Sequence, residues 1–142
     1  MSLGDLYREV ILDHYQRPRH RGSLPGATVS VGLNNPVCGD EIVLQLLVRD
    51  GRVAAASFAG QGCAISQASA SMMTEAVRGL SVDEVRTLLG EFRTMVKTGV
   101  APDDWGDLAA LAGVVQFPTR VKCAMLAWEA LERSLDQSPT DG

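Results

Sequence analysis

The sequence is poor in cysteine, in net positive charge and in long apolar runs, and each shortage narrows its class. Only three cysteines, Cys38, Cys63 and Cys123, occur in 142 residues. Three thiols cannot all be paired within one chain, and a reducing compartment keeps them available for metal or sulfur chemistry. The formal net charge is −4 and the isoelectric point 5.1, which leaves no electrostatic footprint for nucleic acid. No apolar run approaches membrane-spanning length, and the N-terminus lacks the apolar core of a signal peptide, so a cytoplasmic protein without a membrane role is expected. No internal repeat is visible. What is present is 46% hydrophobic and 21% charged residues, enough for one soluble domain to bury a core without disulfide staples.

Helical spacing of Leu3, Leu6, Tyr7, Val10, Ile11 and His14 predicts a first helix to about Tyr15, stopped by Gln16-Arg17-Pro18. His14, on or beside that stripe, is read as a structural hydrogen-bonder rather than a ligand. Arg17, Arg19, His20 and Arg21 form a basic cluster, either a solvated helix end or a help in docking a partner. Alternation over Thr28 to Leu33 predicts a half-buried strand. Glu41 to Arg49 and Arg52 to Ala59 follow as two more, joined by Asp50-Gly51, a dipeptide suited to a two-residue hairpin turn. The expectation is a three-stranded antiparallel meander. A helix over Ala64 to Arg78, rich in small residues, should pack close to the sheet, with Gly79 as its C-terminal cap. Ser81-Val82-Asp83-Glu84 is a capping-box pattern opening a helix that continues to Gly99. Asp103 to Asp107 reads as a loop before the apolar run Leu108 to Val115. Phe117-Pro118 starts a last long helix with Val121, Ala124, Met125, Trp128 and Leu131 facing inward.

Cys38-Gly39-Asp40 lies in a tight loop between two strands, where a thiolate and a carboxylate can converge on one cation. By itself the triplet is more often an ordinary turn with a buried cysteine beside it. Cys63 falls at the start of one helix, after two glycines that permit close backbone approach, and Cys123 in the opening turns of another. Free N–H groups and the partial positive charge at such ends stabilise thiolates. Three thiolates and one carboxylate suffice for tetrahedral zinc. The separations of 25 and 60 residues match no zinc-finger spacing, so spacing alone leaves three unrelated buried cysteines as an equal alternative. Arg120 and Lys122 are candidate local stabilisers of negative charge, or else solvent-facing helix residues.

Asn35-Pro36-Val37-Cys38-Gly39-Asp40, Gly60-Gln61-Gly62-Cys63-Ala64-Ile65-Ser66-Gln67-Ala68-Ser69-Ala70-Ser71 and Phe117-Pro118-Thr119-Arg120-Val121-Lys122-Cys123-Ala124 resemble the three cysteine motifs of the IscU/NifU-N family of iron–sulfur cluster assembly proteins. Leu6-Tyr7 through His14-Tyr15 and Arg17-Pro18-Arg19 resemble its opening helix. Within the family the chain looks like the SufU branch: Lys122 stands where IscU-type scaffolds carry histidine, the connection from the second cysteine is long, and the two-proline chaperone-binding motif has no counterpart. The resemblance implies an α+β fold, a three-stranded antiparallel sheet covered by helices, and it extends to about Leu135; with the length of the chain this gives one expected domain over residues 1–135, and the polar stretch 136–142 reads as a disordered tail. It implies metal ligands Cys38, Asp40, Cys63 and Cys123, zinc as cofactor, and Cys38 as sulfur acceptor. It also implies a pyridoxal-phosphate-dependent cysteine desulfurase of SufS type as partner, with other SUF assembly proteins or apoproteins downstream. Two activities are expected to compete: zinc-dependent sulfur transfer, as a sulfurtransferase-like persulfide acceptor, and scaffolding of a transient iron–sulfur cluster.

Overall fold

Alternation along one strand sets the architecture. In β2, Asp40–Arg49, the side chains of Ile42, Leu44, Leu46 and Val48 are buried while Glu41 and Val43 face out. The computed structural model describes residues 3–36 and 39–137. β2 is the central strand of a three-stranded antiparallel sheet, flanked by β1, Val29–Asn35, and β3, Arg52–Gln61. Its register sets Val31 opposite Leu44, Leu44 opposite Phe58, and Asn35 opposite Asp40. Leu44, Leu46 and Phe58 are fully buried on one face, each contributing roughly 1.5–3 kcal/mol by leaving water. Asp50 and Gly51 both take positive φ, 55° and 73°, as a two-residue hairpin turn of right-handed twist requires. β1 runs two residues beyond its expected end because Asn34 and Asn35 pair with Glu41 and Asp40.

Helices cover the buried face. α1 spans Leu3–Gln16, α2 Ala64–Val77, α3 Val82–Thr98 and α4 Pro118–Gln137. α2 lies against β3 and α4 against β1 and β2, with α1 and α3 packed on those two helices. The small residues of α2 allow this approach: Ser66, Ala68, Ser69, Ala70 and Ser71 are all buried. Ser69 donates to the Ala124 carbonyl at 2.7 Å and accepts from Trp128 Nε1 at 3.0 Å, and the Trp128 ring stacks on Phe92 of α3 at 4.0 Å between centroids. Those contacts join α2, α3 and α4 in one core. On α4, Ala124, Trp128 and Leu131 are buried as expected, whereas Val121 and Met125 reach only the rim.

Three expectations are corrected. Gly79 does not cap α2. The cap is Arg78 in extended conformation, and Gly79, at φ 84°, turns its N–H to the Val53 carbonyl at 2.7 Å, so the chain leaves α2 by bonding to β3. The apolar run is a 3-10 helix, Gly106–Gln116, which takes in the last two residues of the expected loop, while 103–105 stay non-helical. α4 reaches Gln137, with Asp136 paired to Arg86 at 3.4 Å, so residues 136 and 137 are helix rather than tail; 138–142, where the rest of the expected tail falls, lie outside the described residues. The capping box of α3 forms as the sequence implies, with Glu84 N–H on Ser81 Oγ at 3.1 Å and Ser81 N–H on Glu84 Oε1 at 2.9 Å.

Candidate metal centre

Three elements bring their ends together at one corner of the sheet. Asp40 opens β2 with its side chain fully buried. Cys63 is the N-cap of α2, where its Sγ accepts the Ser66 N–H at 3.5 Å. The Cys63 N–H donates to Asp40 Oδ1 at 2.9 Å, which locks the start of α2 to the start of β2. Cys123, in the second turn of α4, is 1% exposed. One ligand atom from each of Asp40, Cys63 and Cys123 lies within 4.8 Å of the other two. In a tetrahedral zinc site the bond lengths put an oxygen and a sulfur ligand about 3.6 Å apart. Cys63 Sγ and Asp40 Oδ2 are 3.9 Å apart, so this pair fits such an ion with little movement. Cys38, the remaining expected ligand and the expected acceptor, lies outside the described residues. The sequence tethers it two residues before Asp40.

Gly62 makes room for the carboxylate. A Cβ there would stand 2.5 Å from Asp40 Oδ1 and 2.6 Å from Ser66 Oγ. Gly62→Ala should therefore push Asp40 out of place, costing about 1–3 kcal/mol of stability from overpacking and weakening metal binding. Denaturant unfolding and elemental analysis on one sample check both effects, and a variant that keeps both would remove the steric reading.

Arg120 stands over the pair of thiols. Its charge is reinforced first by a hydrogen bond to Cys123 and then by the negative potential of Cys63 and Cys123, which raise its already high pKa, while the guanidinium itself stays exposed. Lys122 is exposed on the opening turns of α4. Tyr7 joins the site without having been read from the sequence as a member of it. It lines a cavity of about 380 Å³ with Cys63, Ala64, Ile65, Phe117 and Arg120. Burial, then the nearby Cys63 charge, holds its phenol above the usual tyrosine range, against the opposing pull of Arg120. Its distance in sequence from all three cysteines left no signal to find it by.

His14 is the structural hydrogen-bonder that its position implied. It is 2% exposed, with Nδ1 at 2.8 Å from Ser71 Oγ and Nε2 at 2.8 Å from Asp107 Oδ2, and it ties α1 to α2 and to the 3-10 helix. The basic cluster is engaged with the chain's own acceptors. Arg17 and Arg19 both reach Asp13 at 2.8 Å, and Arg21 reaches the Gln67 side chain and the Gly60 carbonyl at 2.9 Å.

The model of the NifU-like N terminal domain family matches residues 6–139. The chain belongs to this family. Among its NifU-like relatives, the zinc-dependent sulfurtransferase SufU of Bacillus subtilis is 45% identical over 136 residues, covering 94% of this chain and 92% of that protein. The iron–sulfur cluster assembly scaffold protein IscU of Streptococcus pyogenes is 44% identical over 139 residues, covering 96% and 87%. A crystal structure from Fervidobacterium islandicum AW-1, described as an iron–sulfur cluster assembly scaffold protein for the SUF system, superposes with a TM-score of 0.85 at 30% identity, covering 92% of this chain and 97% of that one. The three-stranded sheet with its helical cover is thus the arrangement of a NifU-like domain, α+β as the sequence implied.

Proposed function

We propose that this protein accepts sulfane sulfur from a cysteine desulfurase in iron–sulfur cluster biogenesis, at a zinc site made by Cys38, Asp40, Cys63 and Cys123. The observation that carries the proposal is the meeting of a fully buried carboxylate with two thiols from separate helices, under an exposed arginine. Zinc, when bound there, supplies a Lewis acid that keeps the sulfurs as thiolates. The chain's own residues do the rest. The Cys38 thiolate attacks the outer sulfur of the desulfurase cysteine persulfide, the S–S bond breaks, the desulfurase cysteine leaves as a thiolate, and the sulfur remains on Cys38. Arg120 faces the anions that this exchange creates and moves, while Lys122 adds a more remote positive charge. Identity to a relative named for zinc-dependent sulfur transfer supports the reading. The exchange partner is a desulfurase of SufS type, and the sulfur passes on to SUF assembly proteins or apoproteins, in the cytoplasm. Among the described residues no helix is long and apolar enough to cross a membrane.

A second reading, a scaffold that holds a nascent iron–sulfur cluster on the same donors, is favoured by the similarity to the scaffold of Streptococcus pyogenes. One purified sample separates the two. Sulfur transfer expects about one zinc per chain by elemental analysis and a rise in desulfurase turnover when the zinc form is added. Iron and acid-labile sulfide retained on the chain, with no rise in turnover, would put the scaffold first.

A further inference from the structure

Cys63 stands on the turn from β3 to α2, and the glycines on either side of Gln61 leave that turn with little stiffness of its own. Gly60 and Gly62 take positive φ, 138° and 159°, and glycine has more backbone freedom to lose than any other residue. Yet Cys63 is held at each polar group. Its N–H donates to Asp40 Oδ1 at 2.9 Å, its carbonyl accepts the Gln67 N–H at 3.1 Å, and its Sγ accepts the Ser66 N–H at 3.5 Å. Arg21 spans the turn from outside. Its guanidinium donates from Nη1 to Gln67 Oε1 and from Nη2 to the Gly60 carbonyl, both at 2.9 Å, so one planar fork joins the end of β3 to the first turn of α2. Gln67 is 5% exposed, and without Arg21 its buried amide oxygen would lose this donor. The root of the fork is fixed as well. The His20 carbonyl accepts the Phe58 N–H at 3.0 Å and the Gly22 N–H donates to the Phe58 carbonyl at 2.8 Å, which ties the residues on both sides of Arg21 to β3.

We propose that Arg21 is a positioning residue for the metal centre: by clamping Gly60 to Gln67 it fixes the turn that carries Cys63, and through the Cys63 N–H it holds Asp40 in place. The inference rests on the metal-site reading and names the side chain that sets the spacing of two of its donors. Arg21 acts through Gly60 and Gln67 rather than on the donors themselves. Its fork, not its charge alone, does this, since a lysine ammonium is a single point that cannot span two acceptors in one fixed plane. Groups that orient metal ligands from outside are worth about 10–100-fold in affinity, and a clamp one step further out belongs at the lower end, about tenfold.

The test compares the wild type with Arg21→Gln, Arg21→Lys, Gln67→Leu and the double variant of Arg21→Gln with Gln67→Leu. Zinc affinity is read by competition with a coloured chelator, and cobalt(II) in place of zinc reports the geometry of the site through its visible absorption. Hydrogen exchange of the Cys63 amide in chelated protein reads the turn with no metal present, and the Val85 amide, bonded to the Ser81 carbonyl at the start of α3, is the control for the rest of the fold. Arg21→Gln should bind zinc about ten times more weakly, shift the cobalt spectrum and speed exchange at Cys63 but not at Val85. Arg21→Lys should follow it. Gln67→Leu should act in the same direction, and the double variant should lose less than the two single losses multiplied, because both break one contact. Unchanged affinity and unchanged Cys63 exchange in Arg21→Gln would overturn the role of Arg21 while leaving the metal site intact. Full affinity in Arg21→Lys would overturn the clamp in favour of charge alone, and Val85 exchange rising in step with Cys63 would reduce Arg21 to a part of the general fold. A wild type that binds neither zinc nor cobalt would refute the metal site alone, with the clamp still decided by amide exchange.

Discussion

Asp40→Asn is expected to change stability in opposite directions with and without metal. The carboxylate is fully buried, opposite Asn35 at the start of β2, and shares its site with two thiols. Without a cation, a buried negative charge beside groups that ionise to the same sign is costly, since desolvation and like-charge repulsion act together. Asparagine keeps the shape and the oxygen that accepts the Cys63 N–H, so the chelated variant should melt no lower than the chelated wild type, and above it where the charge dominates. With zinc the order reverses. The amide is a far weaker ligand, and even partners outside the ligand shell are worth about 10–100-fold in metal affinity, so a lost ligand should exceed that. Cys63→Ser and Cys123→Ser should also lower the zinc-bound melting temperature, because a metal held by both thiols would tie the starts of α2 and α4 together. Scanning calorimetry with zinc and with chelator reads all four proteins. Zinc retained in full by every variant after dialysis against the chelator would mean that the site has been assigned to the wrong side chains.

How far the sequence disclosed this site depended on whether the governing interaction was local. The meander was legible because period-two burial and the Asp50-Gly51 turn are written in adjacent residues. The capping box of α3 was legible for the same reason, since Ser81 and Glu84 satisfy one another within a turn. The 3-10 helix was not, because Leu108 to Val115 offers neither a helical nor a strand period. Its tertiary ties come from distant partners: Asp107 holds His14 across 93 residues, and Gly113 carries the Tyr7 ring. Gly79 misled because a glycine after a helix signals a turn but not which carbonyl its N–H will meet. The donor set came from the types of residue and from family resemblance. Separations of 25 and 60 residues say nothing of proximity until β2, α2 and α4 are packed with their starts at one corner. Tyr7 was hidden most completely, since the cavity it shares with Cys63 and Arg120 exists only once its surroundings are folded.

Sulfur delivered by a desulfurase is expected first on Cys38. The other two thiols are bound into helices. Cys63 Sγ caps α2 through the Ser66 N–H, and the Cys63 backbone is held by Asp40, so moving it would open a helix end and take a hydrogen bond from a buried carboxylate. Cys123 is 1% exposed on α4, between Lys122 and the buried Ala124, and bringing it out would shift a helix that covers β1 and β2. Either movement exposes apolar surface at roughly 25 cal/mol per Å² before any chemistry begins. Cys38 belongs by sequence to the four-residue connection between Asn35 and Asp40, outside every helix. Its replacement should therefore separate chemistry from folding. Cys38→Ser should keep a melting temperature close to that of the wild type measured in chelator, yet accept sulfur on the order of a thousandfold more slowly, as loss of a nucleophile does. Zinc-loaded wild type would be mixed with desulfurase and cysteine, quenched by alkylation at early times and digested, and the added sulfur located by peptide mass spectrometry. Persulfide on Cys123 with none on Cys38, while zinc is still bound, would show that the acceptor is the helix cysteine and would move the scaffold reading ahead of sulfur transfer.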